Sequence, residues 1–275
     1  MTANRLRGAV RRRASRLPWR AARDKRALLA DRSLTVAERR MLGRVSLRVS
    51  ARDAMYGSGG SHYWRVGLSA LRCIEEALAH AGSPPINRLL DLPCGHGRVL
   101  RWLAARFPDA RLTACDLDRD GVDFCARRLG ALPAYSVEDV GSLRLVGGFD
   151  LIWCGSLVTH LDGERIGALL EAFHRHLSHG GVLVLTSHGE RAARRMRSAE
   201  MDYLLDDERL AHVLRDYERN GFGYADYPRA DGYGVSIASP DWLRGTVTAV
   251  GGMREVWFRA AGWDDHQDVF AFSAA

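Results

Sequence analysis

The 275-residue chain predicts an α/β fold, a mostly parallel sheet with helices on both faces. Two observations carry this. Helix-like and strand-like patterns alternate from residue 64 to residue 187, the order in which parallel strands are joined by covering helices. The runs Leu151-Ile152-Trp153 and Val182-Leu183-Val184-Leu185 are continuously apolar, as strands covered on both faces must be.

The elements follow in order. Residues 64–80 are amphipathic at helical spacing and stop before Gly82, Pro84 and Pro85. A strand fits residues 87–92, and a helix over 97–107 is ended by Pro108. Residues 111–116 form a second strand, 120–129 a second helix and 133–137 a third, short strand. A buried strand over 149–154, a helix over 163–177 and a strand over 181–187, after the Gly180-Gly181 turn, complete the series. Ser239 and Pro240 start a further helix, with Ser as cap and Pro in the first turn. Residues 190–240 exceed what such a minimal fold needs. They hold a helix over 206–219 and then Gly221, Phe222, Gly223, Tyr224 and Tyr227, glycines interleaved with aromatics. That stretch reads either as a substrate-facing insertion or as an aromatic hairpin packed as core.

At 47% hydrophobic and 27% charged residues the composition excludes a wholly disordered, collagenous or fibrous chain. The net charge of +7 is unevenly spread. The first 50 residues carry 15 basic residues against Asp24, Asp31 and Glu38, so the remaining 225 are net acidic. The chain thus divides into an Arg-rich arm over 1–50, partly helical or disordered, and a single domain over 51–275. Three readings of the arm stay open: a solvated surface helix or loose arm, an electrostatic arm for nucleic acid or an anionic membrane surface, and an organelle-type leader. The five cysteines are odd in number and include no C-x-x-C pair, which points to a reducing, cytoplasmic setting without a zinc site or other metal. No window approaches the roughly 18 apolar residues of a spanning helix.

The sharpest motif closes the first strand: Asp91-Leu92-Pro93-Cys94-Gly95-His96-Gly97-Arg98. A strand running through a small-residue turn into a helix lets the backbone approach a ligand, with helix N–H groups aimed at it. Asp116 ends the second strand, where an acid accepts both hydroxyls of a ribose. Leu100 stands where a dinucleotide fingerprint has its third glycine, which leaves the pyrophosphate of NAD a poor cradle.

The motif resembles that of the class I S-adenosylmethionine-dependent methyltransferases, with Pro93 in place of the usual first glycine. The resemblance runs over about residues 65–272 and implies a Rossmann-like sheet whose last strand is antiparallel, with residues 261–270 in the last hairpin. It implies S-adenosyl-L-methionine as cofactor, held by Asp91, Leu92, Pro93, Cys94, Gly95 and Gly97. Asp116 and Leu117, with Asp118 as a neighbour, fall at the ribose; Glu138, Asp139 and Val140 fall at the adenine; Cys154, Gly155 and Ser156 fall at the methionine end. Arg65 is a candidate partner for the methionine carboxylate.

A sulfonium methyl is already activated, so the protein has to align a nucleophile and, for a hydroxyl, take its proton. His160, just past the fourth strand, and His188, at the end of the fifth, are the candidate bases, with His266 behind them. His160 also has a structural reading as a cap, and His266 as a turn residue. The expected activity is methyl transfer to oxygen or nitrogen of a small-molecule or glycan-like acceptor. The alternatives are an RNA methyltransferase that uses the basic arm and a non-catalytic methyltransferase-like binding protein. No Asn-Pro-Pro-Tyr motif follows the fourth strand, and no stable nucleic-acid partner is expected; a weak anionic surface contact through residues 1–50 stays open.

Overall fold

A computed structural model describes residues 18–275. Helix α1 covers residues 18–29 and α2 covers Val36–Arg44, followed by α3 (Ala54–Gly59) and α4 (Ser61–His80). The sheet unit then runs β1 (Arg88–Asp91), α5 (Leu100–Arg106), β2 (Arg111–Asp116), α6 (Arg119–Leu129), β3 (Leu132–Tyr135), β4 (Phe149–Cys154), α7 (Gly163–His176) and β5 (Leu177–Ser187). Helices α8 (Glu190–Arg197) and α9 (Asp207–Asn220) lead to a hairpin of β6 (Phe222–Asp226) and β7 (Gly234–Ala238). Helix α10 (Pro240–Val250), β8 (Met253–Trp263) and β9 (Gln267–Ala274) complete the chain.

The seven-stranded sheet has the order β3-β2-β1-β4-β5-β9-β8; its first five members are parallel, and β9 pairs antiparallel with both β5 and β8. This is the predicted mostly parallel sheet with an antiparallel last strand. The two-residue period of the strands sorts their side chains into two cores. Leu89, Leu151, Trp153, Val182, Val184, Val269 and Ala271 face α4, α5 and α6. Their neighbours Leu90, Ile152, Cys154, Leu183, Leu185, Phe270 and Phe272 face α7 and α10. That double burial is why the strand segments read as unbroken apolar runs. Each fully buried aliphatic side chain contributes about 1.5–3 kcal/mol.

The division expected at residue 50 falls inside a continuous core. Ala21, Leu28, Leu34, Leu42 and Val45 pack with the α4 and α5 residues of the first core. Lys25, the chain's only lysine, is buried, and its Nζ donates to the Val45 carbonyl at 2.7 Å; burial lowers its pKa. Arg101 on α5 is fully buried and donates to the carbonyls of Ser46 and Arg48. The Arg-rich composition masked this amphipathic packing, and the part of the predicted arm before residue 18 lies outside the described residues. Among the described residues no helix is long and apolar enough to cross a membrane, and all five cysteines are free and buried.

Residues 190–240 form a unit of their own on the sheet's carboxyl edge. Ala193, Met196, Leu205, Val213, Ala225, Val235 and Ile237 make a third, small core between α8, α9 and the β6–β7 hairpin. The hairpin packs a core on one side, as the core reading of the aromatic stretch expects, and on the other meets His160 after β4 and His188 after β5.

Candidate functional site

The carboxyl ends of the neighbouring parallel strands β2, β1, β4 and β5 lie along one edge of the sheet, the edge whose crevice binds ligands in open α/β folds. Its first wall is the turn after β1. The Gly95 N–H donates to Asp116 Oδ2 at 2.7 Å, and the Asp118 N–H donates to Asp116 Oδ1 at 2.9 Å, so β2's terminal acid locks the turn. Each carboxylate oxygen has capacity for one more hydrogen bond, which leaves Asp116 two sites for a diol. Gly95 has φ +48°, and a Cβ added there would meet nothing within 4 Å: the turn opens onto free space. Gly97, at φ +77°, is the opposite case, because a Cβ would strike Leu129 Cδ1 at 2.4 Å and Cys125 Sγ at 3.0 Å.

Behind the turn stands Asp91, 1% exposed, with neither carboxylate oxygen hydrogen-bonded. Burial, reinforced by the nearby charge of Asp116, raises its pKa well above the usual carboxylate range. An unpartnered buried acid is costly, and a cationic ligand group in the crevice would offset that cost. Leu117, 56% exposed, offers an uncovered apolar face beside Asp116.

Sequence reasoning missed Arg101 and Arg98. The Arg101 guanidinium donates to the Gly97 carbonyl at 2.8 Å, to the His96 carbonyl at 3.1 Å and to the Tyr63 hydroxyl at 3.0 Å, fastening the glycine turn to α4. Tyr63 in turn donates to Asp53. Arg98 lies over the Trp263 ring, 5.7 Å from its centroid, and its charge acts on Asp91. Arg98, not Arg65, is thus the arginine beside the glycine turn; Arg65 is held by Asp31 through the helix packing that the arm reading overlooked. The adjacency of Arg98 to Gly97 was the available sign.

The other predicted cofactor positions are placed as follows. Leu92 N–H donates to the Trp153 carbonyl and Cys94 N–H to the Cys115 carbonyl, which tie the turn to β4 and β2; Pro93 stands between them. Glu138 and Asp139 are exposed, and Asp139 caps the short turn Val140–Ser142 by accepting from Gly141 N–H. Cys154 and Gly155 are buried, and Ser156 has φ +66°. Ser156 N–H donates to Thr186 Oγ1, Thr186 donates to Gln267 Oε1, and Gln267 Nε2 donates to Ser156 Oγ. That closed ring joins β4, β5 and β9 at the crevice floor, and Thr186 and Gln267 were not foreseen.

The second wall is the β6–β7 hairpin. His160 ends the short turn Val158–His160, and its Nδ1 is 2.9 Å from the Gly234 carbonyl. The carbonyl can only accept, so Nδ1 carries the proton and Nε2 presents its lone pair. Burial lowers the His160 pKa below its usual 6.5. Tyr233 stacks on the ring at 4.8 Å, and the Tyr227 hydroxyl is 3.2 Å from Nδ1. Tyr233 reaches toward the first wall: burial first and then the charge of Asp116 raise its pKa. His188 is 5% exposed, with Nδ1 3.2 Å from the Ser236 carbonyl. His266 packs beside His188 with ring centroids 5.2 Å apart and takes a hydrogen bond from Arg195.

This crevice is a candidate nucleoside-cofactor site on a doubly wound sheet with an antiparallel final hairpin. Residues 90–183 match the family model described as a methyltransferase domain. The fold is shared with a methyltransferase from Clostridium acetobutylicum (TM-score 0.53, 15% identity, 81% of this chain and 95% of that one). It is shared too with a SAM-bound amino pentose methyltransferase from Micromonospora echinaspora (TM-score 0.54, 18% identity, 84% and 99%). A malonyl-[acyl-carrier protein] O-methyltransferase from Dechloromonas aromatica is 33% identical over 48% of this chain and 48% of its own. A fatty-acid O-methyltransferase from Mycolicibacterium smegmatis is 45% identical over 42 residues, 15% of each chain. The chain spans about half the length of the malonyl relatives it matches. Its methyltransferase-domain match over residues 90–183 lies on a sheet that has the fold of S-adenosylmethionine-dependent methyltransferases. Their cofactor is S-adenosylmethionine, and the open Gly95 turn, the unpartnered Asp91 and the exposed Leu117 fit it.

Proposed function

We propose that this protein transfers a methyl group to a hydroxyl oxygen of a small-molecule or glycan-like acceptor, with His160 as the general base. The carrying observation is His160 itself, whose Nδ1–H is donated to the Gly234 carbonyl and whose Nε2 is left free beside the crevice. A neutral imidazole so oriented accepts a proton and donates none at Nε2.

Bound S-adenosylmethionine supplies an electrophilic methyl on a sulfonium. In this reading Gly95, Gly97 and Asp116 hold its nucleoside part, Leu117 covers the adenine, and Asp139 and Glu138 border it. Asp91 faces its cationic end, Arg98 pairs with its carboxylate, and Ser156 shapes the floor beneath the methyl. The hairpin closes over the crevice and excludes water, so that the hydroxyl is held in line while His160 takes its proton.

A second reading is a carboxylate acceptor, favoured by the names of the malonyl and fatty-acid relatives. Carboxylates need no base. Scintillation counting of labelled methyl transfer to a panel of alcohols, phenols and carboxylic acids separates the two. Transfer to hydroxyls that is lost in His160→Gln supports the first reading; transfer to carboxylates that survives the substitution refutes it.

A further inference from the structure

We infer that His160 and His188 form one acceptor cradle for a neutral substrate with two adjacent hydroxyl groups, a vicinal diol of the sugar or catechol kind. This rests on the hydroxyl-transfer reading above and names the substrate class of the same site.

The ground for it is a repeat along β7. Gly234 and Ser236 lie two residues apart, so their carbonyls point to the same side of the strand. The first receives His160 Nδ1 at 2.9 Å and the second receives His188 Nδ1 at 3.2 Å. The same edge also sends the Ala238 N–H to the His188 carbonyl at 2.9 Å. One strand edge therefore fixes both rings in the Nδ1–H form, and both present Nε2 as a bare acceptor. His188 is 5% exposed, and among the described residues its ring hydrogen bond is the one that Nδ1 makes to Ser236, which leaves Nε2 without a partner.

Both rings rest neutral near pH 7: burial lowers the His160 pKa below its usual 6.5. Burial, then the neighbouring His266 and His160, push His188 down to about 3. Tyr203 and His266 pack against the His188 ring at 4.9 and 5.2 Å and hold it in place, while Arg195, bonded to His266, is itself paired with Glu200. The cradle thus offers two lone pairs and no N–H. An acceptor carboxylate would face both lone pairs with its own, whereas adjacent hydroxyls donate one hydrogen bond to each.

The roles of the two rings then differ. The hydroxyl facing His160 gives its proton to Nε2 as its oxygen lone pair forms the bond to the methyl carbon; the carbon–sulfur bond breaks with its electron pair left on sulfur, and the imidazolium later loses the proton to water. The second hydroxyl keeps its proton and its hydrogen bond to His188. His188 selects the substrate and leaves the proton transfer to His160.

Calorimetric titration of the full chain, saturated with S-adenosylhomocysteine, with catechol, phenol and benzoate tests the cradle. Catechol is expected to bind about tenfold tighter than phenol, the gain of one further hydrogen bond, with benzoate weakest. The advantage should vanish in His188→Phe while phenol affinity is kept, and His188→Gln, which retains an acceptor oxygen, should recover part of it. Unchanged S-adenosylhomocysteine affinity certifies that a variant is folded. Equal binding of catechol and phenol, no catechol binding, or an advantage that survives His188→Phe would overturn the inference. Diol selectivity without methyl transfer would instead overturn only the transfer reading.

Discussion

The two walls of the crevice are built in different ways. The wall assigned to the cofactor comes from one short piece of chain: Asp91, the glycine turn and Asp116 are joined by the Gly95–Asp116 bond across 21 residues. The wall assigned to the acceptor is assembled at long range: His160 meets its carbonyl 74 residues away, and His188 meets its own 48 away. The first is acidic and open, the second aromatic with neutral imidazoles. A local loop can keep one cofactor while a remote hairpin is free to vary with the acceptor.

The sharpest separation of the walls is His160→Gln. It should lower kcat by about 10²–10⁴-fold, the usual worth of a positioned base, with S-adenosylhomocysteine affinity unchanged by calorimetry. A kcat within a factor of two of the parent protein would reduce His160 to a structural cap.

Arg101→Met works on the other wall and through stability. It strips the buried donor from the carbonyls of Gly97, His96, Ser46 and Arg48 and should cost about 3–5 kcal/mol in urea unfolding. A loss under about 1 kcal/mol would mean that the glycine turn holds its shape without α5.

Asp91→Asn sets stability against binding. Removing the unpartnered buried carboxylate should raise the melting temperature of the ligand-free protein by a few degrees, yet weaken S-adenosylmethionine by about tenfold, near 1.4 kcal/mol. Loss of both would show that Asp91 is satisfied in the resting protein.

How much of this was legible in the sequence follows from the same contrast. The sheet, the glycine turn and Asp116 could be read because two-residue and 3.6-residue periods and a strand–turn–helix junction are local. His160 and His188 were singled out by their places at strand ends, but the carbonyls of Gly234 and Ser236 that fix their tautomers are tertiary contacts with no local trace. Tyr233 was missed for that reason. Arg101 was hidden in an Arg-rich chain, since nothing in the sequence distinguishes a buried guanidinium from the many exposed ones. The helices before residue 50 were read as an arm because their apolar positions, Leu28, Leu34, Leu42 and Val45, are spaced between arginines that dominate the composition.

The smallest effects are expected from pH. His160 titrates below 6.5, so kcat/KM should rise with pH through an acidic limb and be flat above neutrality. A limb centred above pH 7 would assign the base to another group. His188 gives the stability counterpart. Its folded pKa of about 3 lies below the unfolded value of 6.5, so the unfolded chain binds the extra proton. The stability that this ring contributes is complete above pH 6.5 and is lost as pH falls toward 3; His188→Phe should flatten urea midpoints over that window.

The claim on which the rest depends is that the β1 turn and Asp116 bind the nucleoside cofactor. Calorimetric titration of the full chain and of Asp116→Ala with S-adenosylhomocysteine tests it most directly. Saturable one-to-one binding by the parent protein, weakened about tenfold or more in Asp116→Ala, is the expected result; no binding by the parent protein, or equal affinity in both, would contradict it.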